Sequence, residues 1–370
     1  MIKVMVVDDS PLVRKIATDI LSADAEISVV ATAAQGEFAL QKLTREQPDV
    51  ITLDMEMPGM GGLETIRQIM RLRPTPIIVL SAHAARGADL TLQALDLGAV
   101  DFVLKPTNSL SGGIPEIARE LVEKVKSAAR IRVYAYRETE TKQETPVAPK
   151  RSAEDASQVL ACGRGSGECY LVAIGTSTGG PVALKTVLTK LPADFPVGVV
   201  VVQHMPPVFT KAFADRLDSC CTIRVKEAED GDAILPGRVL LAPGNWHMTV
   251  TRFGAEPRVL LNQAENVNGH RPSVDVLLHS VALEYGGRAI GVIMTGMGKD
   301  GAAGIRELRK RGGHIIAQDK ESSVIYGMNR EVVQNGDAHE VVSVDAIAER
   351  IQERLRIPLR GGRNEAYAKR

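Results

Sequence analysis

Short apolar runs alternate along the chain with stretches whose apolar positions recur at helical spacing, a rhythm that predicts α/β layers with parallel strands. In the first third, the runs predict strands at residues 2–7, 27–32, 49–53, 76–80 and 99–103, separated by amphipathic segments such as Pro11 to Leu21 and Phe38 to Thr44. Five strands in this order fit a flavodoxin-like parallel sheet over residues 1–128. The pattern lapses over residues 129–168, where Glu-Thr-Glu-Thr-Lys-Gln-Glu-Thr-Pro and Gly-Arg-Gly-Ser-Gly offer little apolar surface to bury, so this stretch reads as a flexible linker. Strand-like runs resume at 170–175, 197–203, 239–242, 259–261 and 289–295 and predict a second α/β domain, doubly wound and mostly parallel, over residues 169–355. The Gly- and Arg-rich residues 356–370 read as a frayed tail.

Composition narrows the function. With 370 residues there is room for two or three domains, each with its own core. The 45 basic and 45 acidic side chains cancel, with a small acidic excess before residue 129 and a small basic excess after 168. Neither half has the basic surplus that coating nucleic acid requires. Only 4% of residues are aromatic, too few for a base-stacking platform, and no helix-turn-helix pattern appears. The opening Met-Ile-Lys-Val-Met-Val-Val-Asp-Asp meets two carboxylates before a signal-peptide apolar region could form, and no run approaches membrane-spanning length. A cytoplasmic protein without membrane insertion or nucleic-acid partner is expected, as a monomer. Cys162, Cys169, Cys220 and Cys221 lack metal-ligand spacing and read as reduced, incidental thiols.

Two sets of polar residues fall at predicted strand ends. Asp8 and Asp9 close the first strand, Asp54 the third and Ser81 the fourth, and Lys105 follows the fifth. In an open parallel sheet these ends share one edge, where ligands bind. Three carboxylates gathered there need a cation, for which Mg²⁺ is suited. Asp54, alone at its strand tip, can then act as nucleophile toward a phosphoryl group, with Lys105 offsetting charge and Ser81 bonding a phosphate oxygen. The ordinary alternative is that strand-end aspartates cap helices and that Lys-Pro is a turn.

In the second half, Gly175-Thr176-Ser177-Thr178-Gly179 matches Gly-x-Ser-x-Gly between a strand and a helix, where a serine is exposed at a sharp turn. The glycines do not follow a dinucleotide fingerprint, and no Walker lysine is present. His204 follows the strand ending at Gln203, and Asp300 follows the next long strand through Gly296-Met297-Gly298-Lys299. Three strand ends thus offer a nucleophile, a base and an orienting carboxylate. The order Ser, His, Asp differs from that of α/β-hydrolases. Structural alternatives stand beside this reading: a strand-end histidine is often structural, Asp300 could cap its own helix, and His247, His270, His279 and His314 are other candidate bases.

Residues 1–125 resemble the receiver domain of two-component response regulators, in Val-Val-Asp-Asp-Ser, Leu-Asp-Met-Glu-Met-Pro, Leu-Ser-Ala and Leu-Lys-Pro. The resemblance implies Asp54 as phosphoacceptor, Asp8, Asp9, Asp54 and the Glu56 carbonyl as Mg²⁺ ligands, Ser81 and Lys105 as switch residues, and a cis Lys105-Pro106 bond. Residues 170–352 resemble the catalytic domain of the chemotaxis protein-glutamate methylesterase family, in Ile-Gly-Thr-Ser-Thr-Gly-Gly, Val-Val-Gln-His-Met-Pro and Met-Thr-Gly-Met-Gly-Lys-Asp-Gly. That resemblance implies Ser177 as nucleophile, His204 as base, Asp300 as its orienter, the Met297 N–H as oxyanion donor and Thr178 as an aid to placing serine or substrate, with no cofactor at the ester site. It also implies chemoreceptor cytoplasmic domains as substrate, through demethylation of glutamyl esters and deamidation of glutamines. A chemotaxis histidine kinase would be the phosphodonor, and the unphosphorylated receiver would pack across the Ser177 cleft. Pro11 and Thr176 stand where alanine is the more usual residue in these motifs. The rival readings are a DNA-binding response regulator and a phosphorylation-controlled binding module without catalysis.

Overall fold

The five apolar runs of the N-terminal third all become strands: β1 (Ile2–Val7), β2 (Ile27–Ala33), β3 (Val50–Asp54), β4 (Ile77–Ser81) and β5 (Asp101–Leu104). They form one parallel sheet in the order β2-β1-β3-β4-β5. Strands β3 and β4 are buried at every position, as a continuous apolar run in a sheet covered on both faces should be. Helices α1 (Pro11–Ser22), α2 (Gly36–Glu46), α3 (Gly61–Leu72), α4 (Ala85–Asp96) and α5 (Ile114–Ala128) follow the strands in turn. Helix α1 begins where the sequence provides for it: the Ser10 hydroxyl accepts from the Val13 amide at 3.4 Å, and Pro11, which has no amide to satisfy, takes the first turn. It buries Val13, Ala17 and Leu21, spaced by four.

The computed structural model describes residues 1–82, 85–105, 114–131, 170–253 and 256–360. Pro106, Cys162, Cys169 and nearly all of 129–168 lie outside the described residues, so the expected cis Lys105-Pro106 bond does too. Contacts divide the described residues into two units, one comprising the chain up to residue 131 with Pro206–Phe213, the other the remainder. Cys220 and Cys221 form no disulfide. Among the described residues no helix is long and apolar enough to cross a membrane.

From residue 170 onward the chain forms β6 (Leu171–Thr176), α6 (Gly180–Leu188), β7 (Gly198–Gln203), α7 (Phe209–Cys220), β8 (Arg224–Glu227), β9 (Arg238–Leu241), β10 (His247–Phe253), β11 (Glu256–Asn262), α8 (Val274–Glu284), β12 (Ala289–Ile293), α9 (Ala302–Lys310), β13 (His314–Gln318), α10 (Met328–Gln334), β14 (Glu340–Val342) and α11 (Val344–Arg360). Seven strands make a parallel sheet ordered β14-β13-β12-β6-β7-β9-β8. The run at 259–261 belongs elsewhere, in the antiparallel hairpin of β10 and β11. Strands β8, β10, β13 and β14 were not expected from the pattern. Strands β8 (Arg-Val-Lys-Glu) and β14, of three residues, are sheet edges, where short and charged strands discourage unwanted pairing and leave little apolar signal. Helix α11 runs to Arg360, beyond residue 355.

Strand β6 lies inside the sheet with β7 on one flank and β12 on the other. The chain moves outward through β7 and then returns to lay β12 on the opposite flank, so strand order reverses at β6 and a crevice opens beyond the carboxyl ends of the strands. Helix α8 closes one face of this region. It buries Val274, Leu277, Leu278, Val281 and Ala282 at helical spacing, in one cluster with Met248, Val250 and Val259 of the hairpin. Burial of each such large aliphatic side chain contributes about 1.5–3 kcal/mol, which makes α8 a rigid support for what its first turn touches.

Candidate functional site

On the receiver-like sheet, β1 and β3 are neighbours, and their carboxyl ends bring Asp8, Asp9 and Asp54 together with one carboxylate oxygen of each within 4.8 Å of the others. Asp8 and Asp54 are buried, and Asp9 is exposed. Lys105, past the end of β5, sends its ammonium between them, 3.0 Å from Asp8 Oδ2 and 2.7 Å from Asp54 Oδ2. Those two oxygens are held only by ion pairing, without a well-angled hydrogen bond. Burial and the Asp54 charge push the Asp8 pKa up, against the pull of Lys105 and the Ser10 amide. Burial works against the Lys105 ammonium, yet the two carboxylates raise its pKa. A buried pair of acidic oxygens sharing one ammonium, with a third carboxylate open to solvent beside them, suits a hard divalent cation. The Glu56 amide donates to Asp54 Oδ1 at 3.1 Å, which fixes that carboxylate from the loop side. Ser81 is buried, and its Oγ lies 2.7 Å from the Thr91 hydroxyl of α4 and 3.3 Å from the Gly87 carbonyl, so it couples the β4 end to α4.

On the second sheet, Ser177 follows β6, His204 follows β7, and Asp300 lies beyond β12. His204 Nε2 donates to Asp300 Oδ2 at 2.8 Å. The other ring nitrogen, Nδ1, is buried and has no hydrogen-bond partner. Ser177, 9% exposed, lies on the adjacent strand end, and the His204 amide donates to the Thr176 carbonyl at 3.2 Å. No hydrogen bond joins the Ser177 hydroxyl to the imidazole among the described residues, a common looseness before substrate tightens such contacts. Gln203 ties the two turns together, its side-chain amide donating to the carbonyls of Ser177 at 2.9 Å and His204 at 3.0 Å.

Asp300 does not cap its own helix. Gly301 is the N-cap of α9, and the Asp300 carboxylate turns instead to the start of α8. There it accepts from the Val274 amide at 2.7 Å, the Asp275 amide at 3.2 Å and the Ser273 hydroxyl at 2.8 Å, and from Asn268 Nδ2 at 2.9 Å. Burial raises its pKa, but the bonds from His204, Asn268 and Val274 outweigh burial and hold the group well below the usual carboxylate range. The positive end of α8 acts in the same direction.

Glycine makes the approach of these turns possible. Gly179 has φ +76°, a left-handed conformation that starts α6 directly after Ser177-Thr178. Gly296 brings the 294–300 loop against the serine: a Cβ there would lie 2.9 Å from Ser177 Cβ and 2.3 Å from Met328 Sδ. The Ser177 amide donates to the Thr295 carbonyl at 3.0 Å, so Met297, half-buried, is carried on a loop stitched to the serine turn. The Thr178 hydroxyl is buried without a partner.

The other candidate histidines separate by position. His247 is spent on structure, Nδ1 accepting from the Ser273 amide at 3.2 Å and Nε2 donating to the Glu265 carbonyl at 3.0 Å. His279 is exposed on α8. His314 opens β13, at the opposite end of the strands from the site, and pairs with Glu340 at 2.7 Å. His270 alone approaches, its ring stacked on that of His204 with centroids 3.8 Å apart. The sequence reading missed Gln203, Asn268 and Ser273; the Ser-x-x-Val start of α8 after Pro272 was the only local sign, and it marks a cap rather than a partner of Asp300.

An acidic phosphoacceptor-type pocket on one sheet and a serine, histidine and aspartate on another define a class: a response regulator with a hydrolytic output. Comparison with known proteins agrees. The response regulator receiver domain family matches residues 4–111, and the CheB methylesterase family matches residues 172–351. A protein-glutamate methylesterase/protein-glutamine glutaminase of Symbiobacterium thermophilum is 48% identical over 357 residues, covering 95% of this chain and 96% of that protein. Its namesake in Pyrococcus horikoshii is 41% identical over 371 residues, covering 98% of this chain and 96% of that one. The crystal structure of the Thermotoga maritima CheB methylesterase catalytic domain is 43% identical and covers 50% of this chain and 98% of its own, with a TM-score of 0.49. The chain belongs to the CheB methylesterase family of chemotaxis enzymes and carries a receiver domain with its hydrolase domain.

Proposed function

We propose that this enzyme hydrolyses glutamyl γ-methyl esters, and deamidates glutamine side chains, on the cytoplasmic domains of chemoreceptors, and that phosphorylation of Asp54 by a chemotaxis histidine kinase raises its rate. The observation that carries the chemical part is the His204–Asp300 bond of 2.8 Å beside Ser177, with His204 Nδ1 left unpartnered. Because Nε2 holds the proton shared with Asp300, Nδ1 is the basic nitrogen that takes the Ser177 proton. The serine oxygen attacks the ester carbonyl, the oxyanion is met by backbone donors including the Met297 N–H, and the imidazolium returns its proton to the departing methanol. Water, deprotonated by the same nitrogen, then cleaves the acyl-enzyme and leaves glutamate. With glutamine the leaving group is ammonia. The Thr178 hydroxyl, buried and unpartnered beside Ser177, would help to place the serine.

Gly296→Ala tests whether the loop must press against the serine. The added methyl has no room between Ser177 and Met328. A displacement of the oxyanion loop on the ångström scale lowers kcat by about a hundredfold. Steady-state ester hydrolysis checks it, and an unchanged kcat rules out the loop as oxyanion support.

On the receiver side, Asp8, Asp9, Asp54 and the Glu56 carbonyl would hold Mg²⁺, which supplies positive charge opposite a phosphoryl group. The close approach of the three carboxylates, with the buried Asp8 and Asp54 oxygens balanced only by the single Lys105 ammonium, supports this. Lys105 already contacts the phosphoacceptor, and Ser81, bonded to Thr91 and Gly87, can exchange those contacts for a phosphoryl oxygen and so carry the change into α4. Methanol release from methylated receptor membranes is expected to rise when a small-molecule phosphodonor and Mg²⁺ are added to wild type. Asp54→Asn is expected to remove the whole of that rise while leaving the unstimulated rate. Equal stimulation of both proteins would overturn phosphorylation control at Asp54.

A further inference from the structure

Residues 267–270 make a tight turn outside the three motifs. Val267 and His270 exchange backbone hydrogen bonds, at 3.1 Å and 2.9 Å, across the central pair Asn268-Gly269. Both central residues have positive φ, +53° and +81°, as the Asn-Gly type I′ turn requires. The turn is exposed at Asn268 and Gly269, yet both of its working side chains point at the buried pair. Asn268 Nδ2 donates one hydrogen to Asp300 Oδ1 at 2.9 Å and the other to Asp275 Oδ2 at 2.8 Å. His270 lays its ring on the His204 imidazole at 3.8 Å, with the planes 15° apart.

We infer that the Asn268-Gly269 turn is a positioning clamp on the general-base pair, with Asn268 fixing the Asp300 carboxylate and His270 fixing the plane of the His204 ring. The inference rests on the reading of Ser177, His204 and Asp300 as a catalytic set. Each acts through its partner, Asn268 through Asp300 and His270 through the His204 ring. The bridge has a second task. Asp275 and Asp300 are neighbouring carboxylates, and burial together with the Asp300 charge pushes the Asp275 pKa up. A neutral amide with one hydrogen for each carboxylate lets both stay close without a cation. Asp275 Oδ1 accepts the Gly304 amide at 2.7 Å, so the bridge also ties the turn to the start of α9.

The left-handed backbone at Asn268 gives a clean test. Glycine adopts that conformation without strain, so Asn268→Gly removes the amide and keeps the turn. Asn268→Asp keeps the shape but sets a third carboxylate against Asp275 and Asp300. With the full-length protein and a methylated receptor substrate, Asn268→Gly is expected to lower kcat about ten- to a hundredfold at unchanged KM. Asn268→Asp is expected to be slower still, and His270→Phe to retain more of the rate than His270→Ala. Thermal melting separates these effects from misfolding, since a merely structural turn would move the melting temperature and leave kcat per folded molecule unchanged. Wild-type kcat in Asn268→Gly, or equal rates for the glycine and aspartate variants, overturns the clamp. Ser177→Ala is the reference: if it keeps its rate, the catalytic reading itself fails, and the clamp with it; if it is inactive while Asn268→Gly is normal, only the clamp fails.

Discussion

Ser177→Ala is expected to reduce methanol release from methylated receptors by about six orders of magnitude, toward the residual rate that binding and an oxyanion hole alone sustain. Ser177 has no structural hydrogen bond to lose through its hydroxyl among the described residues, and its backbone contacts to Thr295, Gln203 and Gly180 survive the change. Folding should therefore be preserved, and a melting curve matching wild type is part of the prediction. The loss should fall on methyl-ester hydrolysis and glutamine deamidation alike, because both pass through the same acyl-serine. A variant that lost one activity and kept the other would break the single-site account.

The second large effect is expected for Asp300→Asn, with kcat lower by about four orders of magnitude. Every partner of the Asp300 carboxylate is a donor: His204 Nε2, Asn268 Nδ2, the Ser273 hydroxyl and the amides of Val274 and Asp275. An asparagine must turn its own NH₂ toward some of them. If it faces His204, the imidazole moves its proton to Nδ1 and can no longer accept from Ser177. If it faces α8, buried donors meet donors. The stability change carries a sign that can be checked. Because the folded-state pKa of Asp300 lies below its unfolded value, its ionisation stabilises the fold above about pH 4 and that stabilisation is lost as pH falls further. Urea unfolding should show wild type well above Asp300→Asn at neutral pH and the gap narrowing in acid. A gap that stays constant down to low pH would exclude Asp300 as an ionised buried acceptor.

How far the sequence carried these conclusions differs between elements. Residues at the tips of long apolar strands, Asp8, Asp54, Ser81, Ser177 and His204, were legible because parallel topology puts all strand ends on one edge. Asp300 was legible as a motif residue but not in its surroundings. Its partners other than His204 come from residues 268–275, tens of residues earlier, and depend on where α8 docks; no local pattern encodes that. The alternative of Asp300 as cap of α9 does not hold: Gly301 occupies the N-cap position, and the Asp300 carboxylate serves the neighbouring helix α8. Edge strands β8 and β14 are short and leave little apolar signal, and the run at 259–261 predicts a strand but not its antiparallel partner β10, because an apolar run does not state which partner it will pair with.

The placement of β6 between β7 and β12 has a consequence for how the enzyme comes into being. Synthesis delivers Ser177 and His204 within 27 positions of each other, and β6 and β7 can pair as soon as they emerge. The other flank of β6 has no partner until Ala289–Ile293 has been made, and Asp300, the hydrogen-bond partner of His204, arrives later still. Domains fold as units while the chain is synthesised, and here the unit cannot close before its last third is out. If Ser177, His204 and Asp300 act as one set, a ribosome-bound chain short of residue 300 holds the serine and the histidine without the carboxylate and is expected to be inactive, so the order of the strands would keep the hydrolase silent until it is nearly whole.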